Sequence, residues 1–180
     1  MTQRVILSMV RHGQSAWNLE GRLTGSTDIE LTDLGRAQAR KLGEHLVDRR
    51  FDSIVSSDLK RAVETARLAY GEPVRDPRLR ELHFGELEGA IWQELEPRWF
   101  DALRAFGDLT MPGGESMATF SARVHEALDG FGPGEHLVVA HGGVLRVALR
   151  AVGPDRFLSN CALVRVDWTE RRLLSIHEEG

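Results

Sequence analysis

The chain is 180 residues long, 42% hydrophobic and 28% charged, a size and balance that suit a single domain over residues 1–180 and exclude a disordered protein. A net charge of -4 argues against a nucleic-acid partner, because binding a polyanion calls for a basic surface. Cys161 is the only cysteine, which rules out an intrachain disulfide, a redox pair and a Cys-rich zinc site.

Val5 to Val10 is short, apolar and rich in branched side chains, which predicts a buried strand ending at the Gly13 turn. The run is too short for a signal segment or a membrane span, so no membrane partner is expected and the cytoplasm is the default location. Thr32 is placed to cap a helix over 33–47, with Leu34, Ala37, Leu42 and Leu46 near one face. A second strand over 53–56 leads to a helix that Asp58 is placed to cap. Leu59, Ala62, Val63 and Ala66 form its buried stripe, and Arg61 and Glu64 lie off the stripe's centre. Residues 73–89 read as a long ordered loop with a short strand near Val74.

Trp92, Leu95, Trp99 and Phe100 predict one or two short helices broken at Pro97, within a small helical lid or insertion around 90–115. After the turn "MPGGES", a helix presents Phe120, Val124, Leu128 and Phe131. A buried strand over 137–140 runs through Gly142 and Gly143 into a helix over 144–151. Alternation from Ala162 to Trp168, with 173–176 as its partner, predicts a closing hairpin. The whole order implies an α/β fold, three layers α/β/α around a mainly parallel sheet. Ligands of such sheets bind beyond the carboxyl ends of the strands. "RHG" (11–13) and "HGG" (141–143) both lie at that edge, so neighbouring strands would bring His12 and His141 face to face.

The residue types at this edge suit a phosphoryl dianion. Gly142 and Gly143 offer backbone N–H groups at a helix start, Arg11 and Arg61 add fixed positive charge, and Asn18 is a further donor. His12 attacking phosphorus must present a neutral ring nitrogen, with its other N–H held by a backbone carbonyl. His141 is then expected as the cation. A carboxylic acid must protonate the departing alkoxide; Glu81 is the candidate, with Glu86 and Glu88 as competitors. Neither a Walker loop nor a G-x-G-x-x-G after a strand is present. The chain has 23 basic residues of which only Lys41 and Lys60 are lysine, a bias that fits phosphate recognition but also a general preference for arginine.

The blocks "VRHGQSAWN", "TGSTDIELTDLGRAQA", "SSDLKRAVETA", "ELHFGELEG", "PGGES" and "VVAHGGVLR" occur in the order found in the histidine phosphatase superfamily, which includes the cofactor-dependent phosphoglycerate mutases, and the chain resembles that family over nearly its whole length. Within it the chain looks most like small bacterial phosphatases acting on α-ribazole 5'-phosphate in cobalamin synthesis. The resemblance implies a phosphoglycerate mutase-like fold and makes His12 the phosphorylated nucleophile. Arg11, Arg61 and His141 would hold the phosphoryl oxygens, Glu81 would be the proton donor, and Asn18, Thr24, Gly25 and Gly142 would border the substrate. It also implies a small phosphorylated metabolite as partner, no cofactor and no metal. The family's common Glu after "RHG" is Gln14 here, one negative charge fewer beside the phosphate.

Two features favour a phosphatase over a mutase. Mutases of the family carry extra Lys and Arg after the Glu loop, whereas 90–114 offers only Arg98 and Arg104, and little chain follows Ile176 to cover the pocket. Trp92, Trp99 and Phe100 would either wall the site against a bulky leaving group or pack a small helical subdomain. His45, His83, His125, His136 and His177 lack metal-ligand spacing and read as surface or structural. The rival readings are a mutase, a phosphometabolite-binding module without turnover, a non-catalytic interaction protein and, for want of a ligand cluster least favoured, a metal-dependent phosphohydrolase. Association into a homodimer is left open.

Overall fold

A computed structural model of the chain describes residues 4–153 and 155–178. In chain order they form β1 (Val5–Arg11), α1 (Ala16–Leu19), α2 (Asp33–Leu46), β2 (Ser53–Ser56), α3 (Lys60–Ala69), β3 (Val74–Arg75), α4 (Pro97–Ala105), α5 (Met117–Asp129), β4 (Gly134–Ala140), α6 (Gly142–Val152), β5 (Leu163–Asp167) and β6 (Arg172–His177). The loop between β3 and α4 contains three 3-10 turns, Pro77–Leu79, Gly85–Leu87 and Trp92–Glu94. The strands make one six-stranded sheet in the order β3-β2-β4-β1-β5-β6. The first four are parallel, and β5 and β6 close the sheet antiparallel, as the alternating pattern at the end of the sequence predicts.

Alternate side chains of a strand point to opposite faces, and here both faces are covered. Val10, Leu137, Val139 and Leu163 pack under α2 and α3 with Ala39, Leu42, Leu46, Ala62 and Ala66. Leu7, Met9, Val138, Ala140, Val164 and Val166 pack under α5 and α6 with Phe120, Val124, Leu128, Leu145 and Leu149. The three layers follow from these two cores. No helix among the described residues is long and apolar enough to cross a membrane.

Several local expectations are corrected. Thr32 caps α2, accepting from Gly35 N at 3.0 Å, but Leu34 and Ala37 are exposed, and Gly35, Ala39, Leu42 and Leu46 form the inner face. The first turn of α2 is rotated so that Gly35 meets the chain at Gly13 and Gln14, a contact too close for any Cβ on either glycine. Asp58 does not cap α3, since its carboxylate is taken by Arg80 at 2.7 Å. Arg61, expected beside the buried stripe, is itself fully buried. Pro97 begins α4 rather than breaking a helix, in the first-turn position where its missing N–H costs nothing. Gly142 and Gly143 are the first residues of α6, not a turn before it.

Candidate active site

Strands β1 and β4 pair in parallel with Arg11 opposite Ala140, so the residues that follow them emerge side by side. The ring centroids of His12 and His141 are 5.1 Å apart at an interplanar angle of 64°. His12 continues the ladder by donating its N–H to Ala140 O at 3.0 Å, and Arg11 donates to Ala162 O at 3.1 Å. The nucleophile loop is also tied to α3, where Thr65 Oγ1 accepts from Gly13 N at 3.0 Å and donates to Arg61 O at 2.7 Å.

His12 is buried, and its Nδ1 lies 2.7 Å from Gly13 O. A proton on Nδ1 donated to that carbonyl leaves Nε2 as the lone-pair nitrogen. Burial, then the charges of Arg61 and Arg11, hold this imidazole well below its ordinary range. The expected imidazolium at His141 gives way to a neutral ring for the same reasons, with burial first and then Arg61, His12, Arg123 and Arg11. A neutral imidazole still offers one N–H to a phosphoryl oxygen.

Arg61 is fully buried and Arg11 partly so, and neither has a carboxylate partner among the described residues. Arg61 donates only to main chain, Nη1 to Thr27 O at 2.9 Å and Nη2 to Gly25 O at 2.7 Å, while Arg11 Nη1 donates to Leu158 O. Burial pushes the Arg61 guanidinium down to about 10 and lowers Arg11 as well, yet both remain cations at neutral pH. Arg11 Nε, Arg61 Nε and both ring nitrogens of His141 are buried and have no hydrogen-bond partner among the described residues. Burying such polar atoms unpaired is costly, and their concentration around one histidine is what a binding site for an oxyanion requires.

A cleft of about 460 Å³ opens here, lined by Arg11, His12, Asn18, Thr24, Glu81 and Gly142 among others. Arg61 and His141 lie behind that lining, both fully buried. Gly25 is not on the cleft wall; it serves through its carbonyl, which holds Arg61. Asn18, within α1, completes the capping box of the N-cap Ser15, its Oδ1 accepting from Ser15 N at 3.1 Å and from Asn160 Nδ2 at 3.2 Å. Gln14 does not line the cleft, and its Oε1 accepts from Thr32 Oγ1 at 2.9 Å.

Of the three glutamates, Glu81 alone lines the cleft. Its Oε1 accepts from Leu82 N and its Oε2 from Gly143 N, each at 2.9 Å. The Gly143 N–H is therefore committed to Glu81 rather than left for the anion. A Cβ at 143 would collide with Glu81 Oε1 and push the carboxylate out of this position. Glu88 instead organises the rim, accepting from Ser26 N at 2.8 Å, Thr27 N at 2.9 Å and the Thr27 hydroxyl, with His83 Nδ1 at 2.9 Å. These bonds fix the loop whose carbonyls hold Arg61. Glu86 packs near Gly113, away from the cleft wall.

The outer cleft is aromatic. Trp92, Phe100, Phe106 and Phe157 line it with Leu103 and Leu158, whereas Trp99 does not, its ring lying instead against the Arg98 guanidinium at 4.9 Å. Arg22, Arg146, Phe157 and Leu158 were not singled out from the sequence. Arg146 was findable, because it sits four residues after Gly142 on the same helical face. It is sandwiched between Phe106 and Phe157, with guanidinium carbon to ring centroid distances of 4.2 and 4.3 Å, and pairs with Asp155 at 2.7 Å. Phe157 carried no periodic signal. Among the described residues no group of three or more His, Cys, Asp or Glu side chains could hold a metal ion.

Fold and site together define a pair of buried histidines flanked by arginines at the carboxyl edge of an α/β sheet. The sequence profile of the histidine phosphatase superfamily (branch 1) matches residues 7–178, and the chain belongs to that family. Among solved structures, TTHB049 from Thermus thermophilus superposes with a TM-score of 0.90 at 45% identity, covering 97% of this chain and 99% of that one. An Escherichia coli K-12 protein provisionally named alpha-ribazole-5'-P phosphatase superposes with a TM-score of 0.81 at 26% identity, covering 97% and 95%. Phosphoglycerate mutase-like protein 4 of Arabidopsis thaliana is 39% identical over 162 residues, covering 82% of this chain and 70% of the relative.

Proposed function

We propose that the protein is a metal-independent phosphomonoesterase that works through a phosphohistidine on a small phosphorylated metabolite. One observation carries the reading: Arg11 Nε, Arg61 Nε and the His141 nitrogens are buried and unpartnered around a His12 whose Nδ1 is fixed on Gly13 O. In the first transfer, His12 Nε2 bonds to phosphorus, the ester P–O bond breaks, and the departing alkoxide takes the proton of Glu81. In the second, the Glu81 carboxylate takes a proton from water as its oxygen attacks phosphorus, and the P–N bond breaks to free His12 and inorganic phosphate. Arg11, Arg61 and His141 stabilise the charge spread over the phosphoryl oxygens in both transfers.

For the substrate, we propose α-ribazole 5'-phosphate or a phosphomonoester with a similarly broad apolar leaving group, used in the cytoplasm. Support comes from the Trp92, Phe100 and Phe157 wall and from the name of the Escherichia coli relative. The mutase reading draws on the name of the Arabidopsis relative, but of the outer arginines on the cleft wall only Arg104 has no ion pair among the described residues. Arg146 is paired with Asp155, and Arg22 is paired with Glu20 at 2.5 Å.

The test is phosphate release in the presence of a chelator, with the phosphoenzyme trapped by rapid quench. An acid-labile, base-stable phosphoryl group on His12 is expected, and His12→Ala should lower turnover by ~10³-fold or more. A phosphoryl group on another residue, or activity abolished by the chelator, would overturn the reading. A panel of α-ribazole phosphate, 3-phosphoglycerate, sugar phosphates and nucleotides decides the leaving group.

A further inference from the structure

The cycle above gives no task to the "PGGES" turn or to α5, yet the main chain that carries Glu81 is fastened to both. Arg123, on α5, donates from Nη1 to Arg78 O at 2.8 Å and Arg80 O at 2.7 Å, and from Nη2 to Glu81 O at 2.9 Å. The same guanidinium is paired twice with Glu115, Nε to Oε1 at 2.7 Å and Nη2 to Oε2 at 2.8 Å. Glu115 in turn accepts from His83 N at 3.3 Å through Oε2 and donates its own N–H to His83 O at 2.9 Å. The loop is thus gripped on both sides of Glu81 by one ion pair.

The choice of side chain fits the job. A planar guanidinium offers five donors in a fixed fork, and here the fork serves three carbonyls and a carboxylate together. The flat of the fork lies over Phe120, 4.8 Å from the ring centroid. Phe120 is itself fully buried and its Cζ comes up against Gly143, whose N–H holds Glu81 Oε2. Both supports of the Glu81 carboxyl, its own backbone and the Gly143 amide, therefore rest on neighbours that Arg123 fixes. Arg123 is not on the wall of the cleft, so it has no direct reach to a substrate.

We propose that Arg123, anchored by Glu115, is a positioning residue that aims the Glu81 carboxyl group at the leaving oxygen. The inference rests on the reading of Glu81 as proton donor, and its experiment separates the two. kcat and KM are measured for p-nitrophenyl phosphate, whose leaving group departs without a proton, and for a primary alkyl phosphate, whose leaving group needs one. Glu81→Gln sets the reference, a loss of kcat/KM concentrated on the alkyl ester, because kcat/KM reports the first transfer alone whereas kcat also contains the second, in which Glu81 serves both esters as base.

Arg123→Met, which keeps the packing on Phe120, should lower kcat/KM for the alkyl ester by about tenfold to a hundredfold, the scale expected when a reacting group is misplaced by about 1 Å. The aryl ester should lose far less by the same measure. Arg123→Lys should recover part of the alkyl rate, since an ammonium can meet Glu115 but not all three carbonyls. Equal losses on both esters in Arg123→Met, or none, beside a selective loss in Glu81→Gln would overturn the clamp while leaving the acid in place. Equal losses in Glu81→Gln would remove the acid and the clamp with it. If Arg123→Met does not fold, Glu115→Gln carries the same ratio: a smaller alkyl-selective loss supports the proposal, and an unchanged ratio overturns it.

Discussion

Where β4 begins, the Glu135 carboxylate collects Ser8 Oγ at 3.0 Å, Arg49 Nη1 at 3.1 Å and Arg165 Nη2 at 3.0 Å, while His136 is held between Ser53 Oγ and Gly132 O. Where β1 and β4 end, Arg61 is fully buried, neither it nor Arg11 makes an ion pair with a described residue, and both sit beside two histidines that burial keeps neutral. The same strands thus carry polar clusters at both ends, built from the same residue types. The first is closed in the sense that each of its guanidiniums has a carboxylate partner, Glu135, although the buried Arg165 Nε finds no hydrogen-bond partner among the described residues. The second is left electrically incomplete, which is tolerable in a marginally stable fold only where an incoming anion completes it.

Substitutions can break or sharpen this contrast, and the largest effect is expected at the incomplete end. Arg61→Met should lower kcat for phosphate release by ~10²- to 10³-fold, the typical cost of losing one preorganised oxyanion donor; steady-state turnover checks it, and an active variant would erase the distinction between the two ends. Gly143→Ala drives a methyl group into Glu81 Oε1 and should cost roughly tenfold to a hundredfold in kcat while substrate affinity holds. A KM-led loss would mean that the methyl group blocks entry instead.

The neutral histidines also make stability depend on pH with a definite sign. His12 and His141 are held well below 6.5 in the folded chain, so below that pH the unfolded chain binds protons that the folded one refuses. Stability is complete above 6.5 and is lost as pH falls towards the folded values, by up to about 1.4 kcal/mol per pH unit for each histidine. Urea unfolding between pH 7 and 5 measures the slope. Inorganic phosphate, completing the charge set, should flatten it, and a slope equal in His12→Asn, His141→Asn and the parent would show that other groups cause it. At the closed end the effect is smallest: Glu135→Gln should cost about 1 kcal/mol of stability with kcat unchanged, and a fall in kcat would show that the two ends are coupled.

Much of this was legible in the sequence because short apolar runs and glycine-bounded polar triplets are local signals. The strands, the α2 cap at Thr32, and the meeting of His12 with His141 all followed from periodicity and from the rule for strand ends. What was not legible depended on distant partners. Leu34 and Ala37 have the right spacing for a buried face, but the Gly13 to Gly35 contact, set by main chain, rotates that face away. Asp58 has the right chemistry for a cap, but Arg80 competes for it across the loop. Arg61 reads as a cation of the anion pocket, but its complete burial does not, because amphipathic patterning assumes that charge seeks water. Phe157 joins the cleft only through the loop that follows α6, and no spacing along the chain announces that, whereas Arg146 could have been read from its place one helical turn after Gly142.

Gly13 and Gly35 lie backbone to backbone with no room for a methyl group on either side. The loop that carries His12 therefore stands on a mount made of main chain, and substitutions of Trp92, Phe100 or Phe157 at the mouth of the cleft leave that mount untouched.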